Sequence, residues 1–261
     1  ILDDEQFWNI LSYEHWVVFQ SLNRIYIYDL DKKNIKIITP QSGIFRSYQT
    51  KNAIYFQSGS GDLYEIEGGK SKIVSNNAVI KNNRIINVFA KDKDLLIQTQ
   101  KQGFYTYNAG KCQKFTTEVD NQLASSSVYS SQVLQDGTYA IGTVSNGVYI
   151  LSNEGKLKYH ISQTQGLSNN TALSLFEDKE RNLWVGLDNG INCINMQSPI
   201  KSYVDDTGVL GTVYCAKMFA NKLYVGTNQG LFFKNINSNE NFTAVKATKG
   251  QVWSLFEHGG T

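Results

Sequence analysis

A unit of about forty residues recurs along this chain, and a copy that small cannot bury its own apolar surface, so the copies must fold against one another. Each copy has an apolar strand, an amide or small residue, a short polar turn usually carrying Gly, and a second apolar strand. The first strands are Val17–Ser21, Ile54–Ser58, Leu95–Thr99, Tyr139–Thr143, Leu183–Gly186 and Leu223–Thr227. The second are Tyr26–Tyr28, Leu63–Ile66, Phe104–Tyr105, Val148–Ile150, Ile191–Ile194 and Leu231–Phe233. The amide or small residue stands at 20, 57, 98, 142, 186 and 226, so the repeat runs 37 to 44 residues. Ser145-Asn146-Gly147, Asp188-Asn189-Gly190 and Asn228-Gln229-Gly230 place Asn and Gly where a tight turn needs positive φ. The first copy turns through Leu22-Asn23-Arg24 without Gly. Gly142, Gly186 and Gly226 suit a close approach of neighbouring strands.

A further apolar strand precedes each hairpin, as at Val128–Ser130, Ala172–Phe176, Val213–Cys215 and Val252–Phe256. A weaker one follows, as at Ile35–Ile38 and Lys158–Ile161. Four strands per unit with no convincing helix predict an all-β chain, a β-propeller of four-stranded antiparallel blades around a central channel. The strand before the hairpin is then the innermost. Fifteen Tyr and 13 Phe against 2 Pro agree with strands rich in aromatic residues. Phe7–Leu11 reads as the innermost strand of the first blade and Gln251–Glu257 as that of a seventh. Residues 1–261 are therefore expected to form one propeller domain, six blades and one strand of a larger ring.

The copy from Gly166 to Ile191 resembles the two-component-regulator propeller repeat. That family's pattern is roughly G-L-[SP]-N-N-x-V, a short spacer, then D-x-x-G-N-L-W-[IV]-G-T-x-x-G-[IL]. Asp178, Asn182, Leu183, Trp184, Gly186 and Gly190 match it, while Arg181 replaces the usual Gly and Leu187 the usual Thr. The copies around Gly142 and Gly226 match in part and the first three weakly. The resemblance implies the periplasmic sensor region of a membrane-bound bacterial regulator, a hybrid two-component system or a transcriptional regulator. Such regulators often respond to oligosaccharides. It also implies a kinase or DNA-binding output domain elsewhere in the parent protein, and a homodimer formed through that parent.

The residues themselves exclude several classes. The net charge of +2 comes from 25 basic and 23 acidic side chains interspersed along the chain, without the basic stripe that nucleic-acid binding needs. No apolar run is long enough to cross a membrane as a helix. Cys112, Cys193 and Cys215 have no metal-ligand spacing and read as small buried apolar residues. His15, His160 and His258 fall in different repeats, which argues against a metal site or a histidine-based triad. No phosphate-binding loop, nucleophile elbow or zinc-binding helix is present, so neither a cofactor nor a catalytic residue is expected. The adjacent carboxylates of Glu177-Asp178 and Asp205-Asp206 would point to opposite faces of a strand. Asp178 reads as an acceptor for turn N–H groups and Trp184 as packing between blades.

Ligands reach a propeller at the channel mouth, where loops from several blades converge. Aligned by repeat, the innermost strands present Phe45, Asn87, Tyr129, Leu173, Tyr214 and Trp253, with Arg46 and Asn170 beside them. Phe45, Arg46, Asn87, Tyr129, Asn170, Tyr214 and Trp253 are the candidate ligand-binding residues, because aromatic rings stack on sugar faces while amides and guanidinium groups bond hydroxyls. The same rings would serve equally as packing between blades, and a one-residue slip would exchange the two faces. Three functions remain open: a ligand sensor, a propeller lyase or glycosidase, and a protein-interaction scaffold. The sensor fits best, because no convergent acid and base stand out and the Gly-His and Trp-Asp marks of a WD-repeat scaffold are missing.

Overall fold

The computed structural model describes residues 5–198, 203, 205, 207–236 and 241–259. The chain divides into two compact units, residues 1–198 and 199–261. Unit 1 holds five antiparallel sheets, each built from strands consecutive in sequence. The first is β1 (Asn9–Tyr13), β2 (Trp16–Gln20), β3 (Ile25–Asp29) and β4 (Asn34–Ile38); the second is β5 (Ile44–Gln49), β6 (Ile54–Ser58), β7 (Leu63–Glu67) and β8 (Lys70–Ser75). The third is β9 (Ile85–Lys91), β10 (Asp94–Thr99), β11 (Phe104–Asn108) and β12 (Lys111–Phe115). The fourth is β13 (Val128–Val133), β14 (Tyr139–Thr143), β15 (Val148–Leu151) and β16 (Leu157–Ile161). The fifth contains β17 (Ala172–Glu177), β18 (Asn182–Leu187) and β19 (Ile191–Asn195) among the described residues. Unit 2 holds one sheet, β20 (Val213–Phe219), β21 (Lys222–Thr227), β22 (Leu231–Asn235) and β23 (Thr243–Ala244). Six such blades are the fold of a β-propeller.

Within unit 1 the first strands of successive sheets, β1, β5, β9, β13 and β17, lie against one another in order. The core lies between sheets. One cluster joins Val18, Ile25 and Ile27 of the first sheet to Ile44, Ile54 and Phe56 of the second. Another joins Phe89, Leu96 and Phe104 of the third to Tyr139, Ile141 and Tyr149 of the fourth. A third joins Ala140, Val148 and Ile150 to Leu183 and Val185 of the fifth. This explains why the second and third strands read as continuous apolar runs: both faces are covered, so alternation is lost.

An amide or glycine at or next to the end of the second strand sets how closely the chain that follows approaches. In the first sheet the Gln20 amide oxygen accepts from Ser47 N–H and Ser47 Oγ, both at 3.2 Å. In the second the Gln57 amide oxygen accepts from Ile85 N–H at 2.9 Å. Gly142 replaces the amide with direct backbone approach, since a Cβ there would stand 2.8 Å from the Ala172 carbonyl oxygen. Gly226 in unit 2 stands likewise against Val252, whose carbonyl oxygen would lie 2.6 Å from such a Cβ. Gly186 differs: a Cβ there meets the Ser174 side chain, which can rotate away.

Three features depart from the sequence reading. Short helices do occur, α1 (Ala78–Lys81) and α2 (Asp120–Ser126), each in a loop leading to an innermost strand. Asn77 caps α1 by accepting from Val79 N–H at 2.9 Å, and Ile80 and Leu123 anchor the two helices in the core. Residues 251–257 form no strand; Val252 N–H donates to Thr227 O of β21 at 2.9 Å, and Trp253 stacks on Tyr214 of β20. Cys193 is exposed, whereas Cys112 and Cys215 are half-buried and burial pushes the Cys112 thiol pKa up.

Candidate functional site

Five of the six innermost strands, all but β1, carry a β-bulge at one repeat position. The ladder skips Phe45 between Ile44↔Ser58 and Arg46↔Gln57, and skips Tyr129 between Val128↔Thr143 and Ser130↔Gly142. It skips Leu173 in the fifth sheet and Tyr214 in unit 2 in the same way. A bulge leaves one residue unpaired and re-aims its side chain. Phe45 and Tyr129 are accordingly exposed, 41% and 40%. In the third sheet the skipped residue is Ile86, which is buried. Asn87 instead pairs with Gln98, the register position that Arg46 holds against Gln57. The repeat alignment that set Asn87 beside Phe45 and Tyr129 is thus corrected by one residue.

Residues paired with the amide or glycine position, just past the bulge where there is one, clamp successive blades. Asn9 Nδ2 donates to Ser47 O at 3.0 Å, and Asn87 Nδ2 to Ser131 O at 2.7 Å. Ser130 Oγ donates to Ala172 O at 3.2 Å. Arg46 reaches further, its Nη1 donating to Ile86 O at 3.4 Å and to Tyr129 O at 3.1 Å. It thereby links β5 to β9 and to β13. Its guanidinium carbon also stands 5.8 Å from the Tyr129 ring centroid, and that of Arg84 stands 5.2 Å from the Phe45 ring centroid. Unit 1 therefore brings Phe45, Arg46, Asn87 and Tyr129 together on its innermost strands, with Arg84 added.

The remaining candidates stand elsewhere. Asn170 is committed to its own loop and the turn between β14 and β15: its Oδ1 accepts from Gln163 N–H at 2.7 Å and its carbonyl from Gly147 N–H at 2.8 Å. Tyr214 and Trp253 belong to unit 2, where they stack with centroids 4.1 Å apart and planes 15° apart. Trp253 is 63% exposed and offers its outer face to solvent. A groove of about 630 Å³ between the first two sheets is lined by Ile37, Pro40, Phe56, Tyr64 and Lys70, and none of the seven candidates borders it.

Several polar groups are explained by the fold. Asp178 Oδ1 accepts from Glu180 N–H and Asn182 N–H, both at 2.9 Å, as the sequence predicts. Its Oδ2 accepts from Trp184 Nε1 at 2.8 Å, and this bond leads the interactions that hold its pKa below the ordinary 3.8. Trp184 is half-exposed beside it rather than buried between blades. His160 stacks on Tyr149 with centroids 4.3 Å apart, and its Nε2 lies 2.8 Å from Asn146 O. His15, Asp29 and Asp31 bring potential metal-ligating atoms within 4.8 Å of one another. The Asp29 carboxylate is occupied as a turn acceptor, from Asp31 N–H at 3.1 Å and Lys32 N–H at 2.9 Å, and the latter bond leads the lowering of its pKa. Of the pair Asp205-Asp206, Asp205 accepts from Leu210 N–H at 2.7 Å, and Asp206 lies outside the described residues.

Arg84 stands two residues before the bulged Ile86, an offset visible only once the register is known. The Tyr48 hydroxyl, donating to Ile85 O at 2.9 Å, is fully enclosed, and burial raises its pKa while Arg46 and Arg84 draw it back.

No curated protein matches the chain in sequence. Solved structures show the same fold at low identity. The extracellular domain of the proposed one component system BT4673 from B. thetaiotaomicron is 19% identical with a TM-score of 0.56, covering 96% of this chain and 37% of that one. The chain thus spans little more than a third of that domain. Virginiamycin B lyase from Staphylococcus aureus is 12% identical with a TM-score of 0.56, covering 92% of this chain and 84% of the lyase. The WD40 β-propeller domain of Doa1 is 12% identical with a TM-score of 0.53, covering 96% of this chain and 86% of that one. Residues 166–189 match the family model described as two component regulator propeller, and the repeat recognised from Asp178, Asn182, Trp184 and Gly186 is that family's repeat.

Proposed function

We propose that this chain is a ligand-sensing propeller of a bacterial signal-transduction regulator, placed outside the cytoplasm, and that its innermost strands recognise a saccharide. The observation that carries the proposal is the cluster in unit 1, where bulges turn Phe45 and Tyr129 outward beside Arg46, Arg84 and Asn87. Flat aromatic faces and fixed donors are the chemistry that holds sugar rings and hydroxyls. The two component regulator propeller repeat at 166–189 and the likeness to an extracellular domain of a bacterial regulator support the sensing role. Binding fits the cluster better than catalysis, because guanidinium and amide groups do not exchange protons near neutral pH. A ligand would act by favouring one arrangement of the parent receptor, and its effect would equal its differential affinity for the two states.

Titration calorimetry against a panel of defined oligosaccharides tests the reading. The unaltered chain should bind at least one of them, and Tyr129→Ala should weaken that affinity about tenfold through loss of one stacking face. Because Tyr129 is exposed, its melting temperature should stay put. A large melting shift with unchanged affinity would make the ring a packing residue instead.

A further inference from the structure

Arg46 and Arg84 bring two positive charges to the bulged innermost strands, at Tyr129 and Phe45, without a carboxylate to neutralise them among the described residues. Arg84 stands over the Phe45 ring of β5 and Arg46 over the Tyr129 ring of β13, and both act electrostatically on the Tyr48 hydroxyl that lies between β5 and β9. Among the described residues no ion pair reaches either of them. The acids of the adjoining loops are already engaged, Asp62 with Lys81 at 3.3 Å and Asp120 with Lys114 at 3.2 Å. Arg46 uses Nη1 on two backbone carbonyls, which leaves Nε and Nη2 without an acceptor among the described residues. Arg84 is exposed and makes no side-chain hydrogen bond among the described residues; the Phe45 ring is its contact.

A guanidinium stays charged at all physiological pH and presents a planar fork that matches carboxylate and sulfate oxygens. Seating each fork on an aromatic ring fixes its direction in advance and reduces what must be ordered on binding. Two forks held this way, close to two exposed rings, match a ligand with a flat apolar face and an anionic substituent. A nucleic acid does not fit, since the chain lacks a continuous basic track. We infer that Phe45, Arg46, Arg84 and Tyr129 form an anion-binding subsite that takes a carboxylate- or sulfate-bearing saccharide. The inference rests on the saccharide reading above and names its chemical class.

The test is calorimetry on the 261-residue chain. The probes are an oligogalacturonide, its carboxyl-reduced counterpart, a sulfated galactan oligosaccharide, its desulfated counterpart and inorganic sulfate. One charged probe should bind at least about tenfold more tightly than its neutral counterpart, an advantage that shrinks with added salt. Arg84→Gln should remove about tenfold of that affinity, one charge-assisted contact. Lys93→Gln, an exposed lysine in the turn between β9 and β10, should leave it unchanged. Arg46→Lys keeps the charge and loses the fork, so its loss should fall between the two. If the uronate binds and the sulfate ester does not, the anion is a carboxylate; the reverse assigns a sulfate. Equal binding of charged and neutral probes, or indifference to Arg84→Gln, overturns the subsite and leaves the saccharide reading standing. Arg84-dependent binding of inorganic sulfate with no saccharide binding supports the subsite and removes the saccharide reading. No binding of any probe overturns both.

Discussion

Replacing Gln57 and Gln98 in turn by Met should have opposite effects, although the two residues occupy the same repeat position and both are fully buried. Gln57 Nε2 lies 3.0 Å from Gly61 O, 3.2 Å from Ile80 O and 2.9 Å from Asn83 O, and its Oε1 accepts from Ile85 N–H at 2.9 Å. With two amide hydrogens, about three of these bonds form at once. Met has nearly the same length and keeps the apolar contacts, so Gln57→Met loses those bonds and strands buried backbone groups. At about 1 kcal/mol per bond the cost is about 3 kcal/mol. That lowers the melting temperature by about 6–12 °C in a chain of this size. Gln98 is different: neither its Oε1 nor its Nε2 has a hydrogen-bond partner among the described residues. Its amide carries a burial penalty with no bond in return, so Gln98→Met should raise stability by about 1 kcal/mol. Chemical denaturation monitored by circular dichroism reads both variants. If Gln98→Met falls as far as Gln57→Met, the reasoning is refuted, and Gln98 must be bonded through ordered water to a group such as Ser131 Oγ, which also lacks a protein partner.

Two further variants test the packing and the turn. Gly142→Ala should destabilise by about 1–3 kcal/mol, because its Cβ meets the Ala172 carbonyl, whereas Gly186→Ala should cost less, because it meets only the Ser174 side chain; urea denaturation ranks them, and equal costs would contradict the close-approach account. Asp178 titrates below its ordinary 3.8 in the folded chain, so its contribution is complete above about pH 4 and is lost as the pH falls through the folded value. Asp178→Asn should therefore lower the melting temperature at pH 7, and the gap to the unaltered chain should narrow as the pH falls through the folded value; a gap that does not narrow in acid would mean the charge is not what matters.

Much of the architecture was legible because the repeat imposes one spacing on both the apolar strands and their turns. Of the position shared by Gln20, Gln57, Gln98, Gly142, Gly186 and Gly226, the residue type shows how sheets meet at three: Gln20 and Gln57 bond across with their amides, and Gly142 lets the next backbone in, whereas Gln98 and Gly186 follow the spacing without that contact. Asn87 shows the limit. The bulge adds one residue to the innermost strand, and nothing in Arg84-Ile85-Ile86-Asn87 shows which residue the ladder will skip. That one residue decides whether a side chain clamps the next blade, as Asn87 does, or turns outward, as Phe45 and Tyr129 do. The short helices were missed for a related reason: a single turn such as Ala78–Lys81 has no periodicity, and it is held by one cap and one buried Ile80. Arg84 became visible as a candidate only through its place over the Phe45 ring.

Hydrogen exchange read by mass spectrometry, with and without a saccharide that binds in the panel, tests the central claim most directly. The account predicts slowed exchange in peptides spanning residues 43–46, 83–87 and 127–130, where the bulged innermost strands begin. Protection confined to the fourth strands, in peptides spanning 34–38, 70–75 and 157–161, would place the ligand on the outer edges of the blades and contradict it.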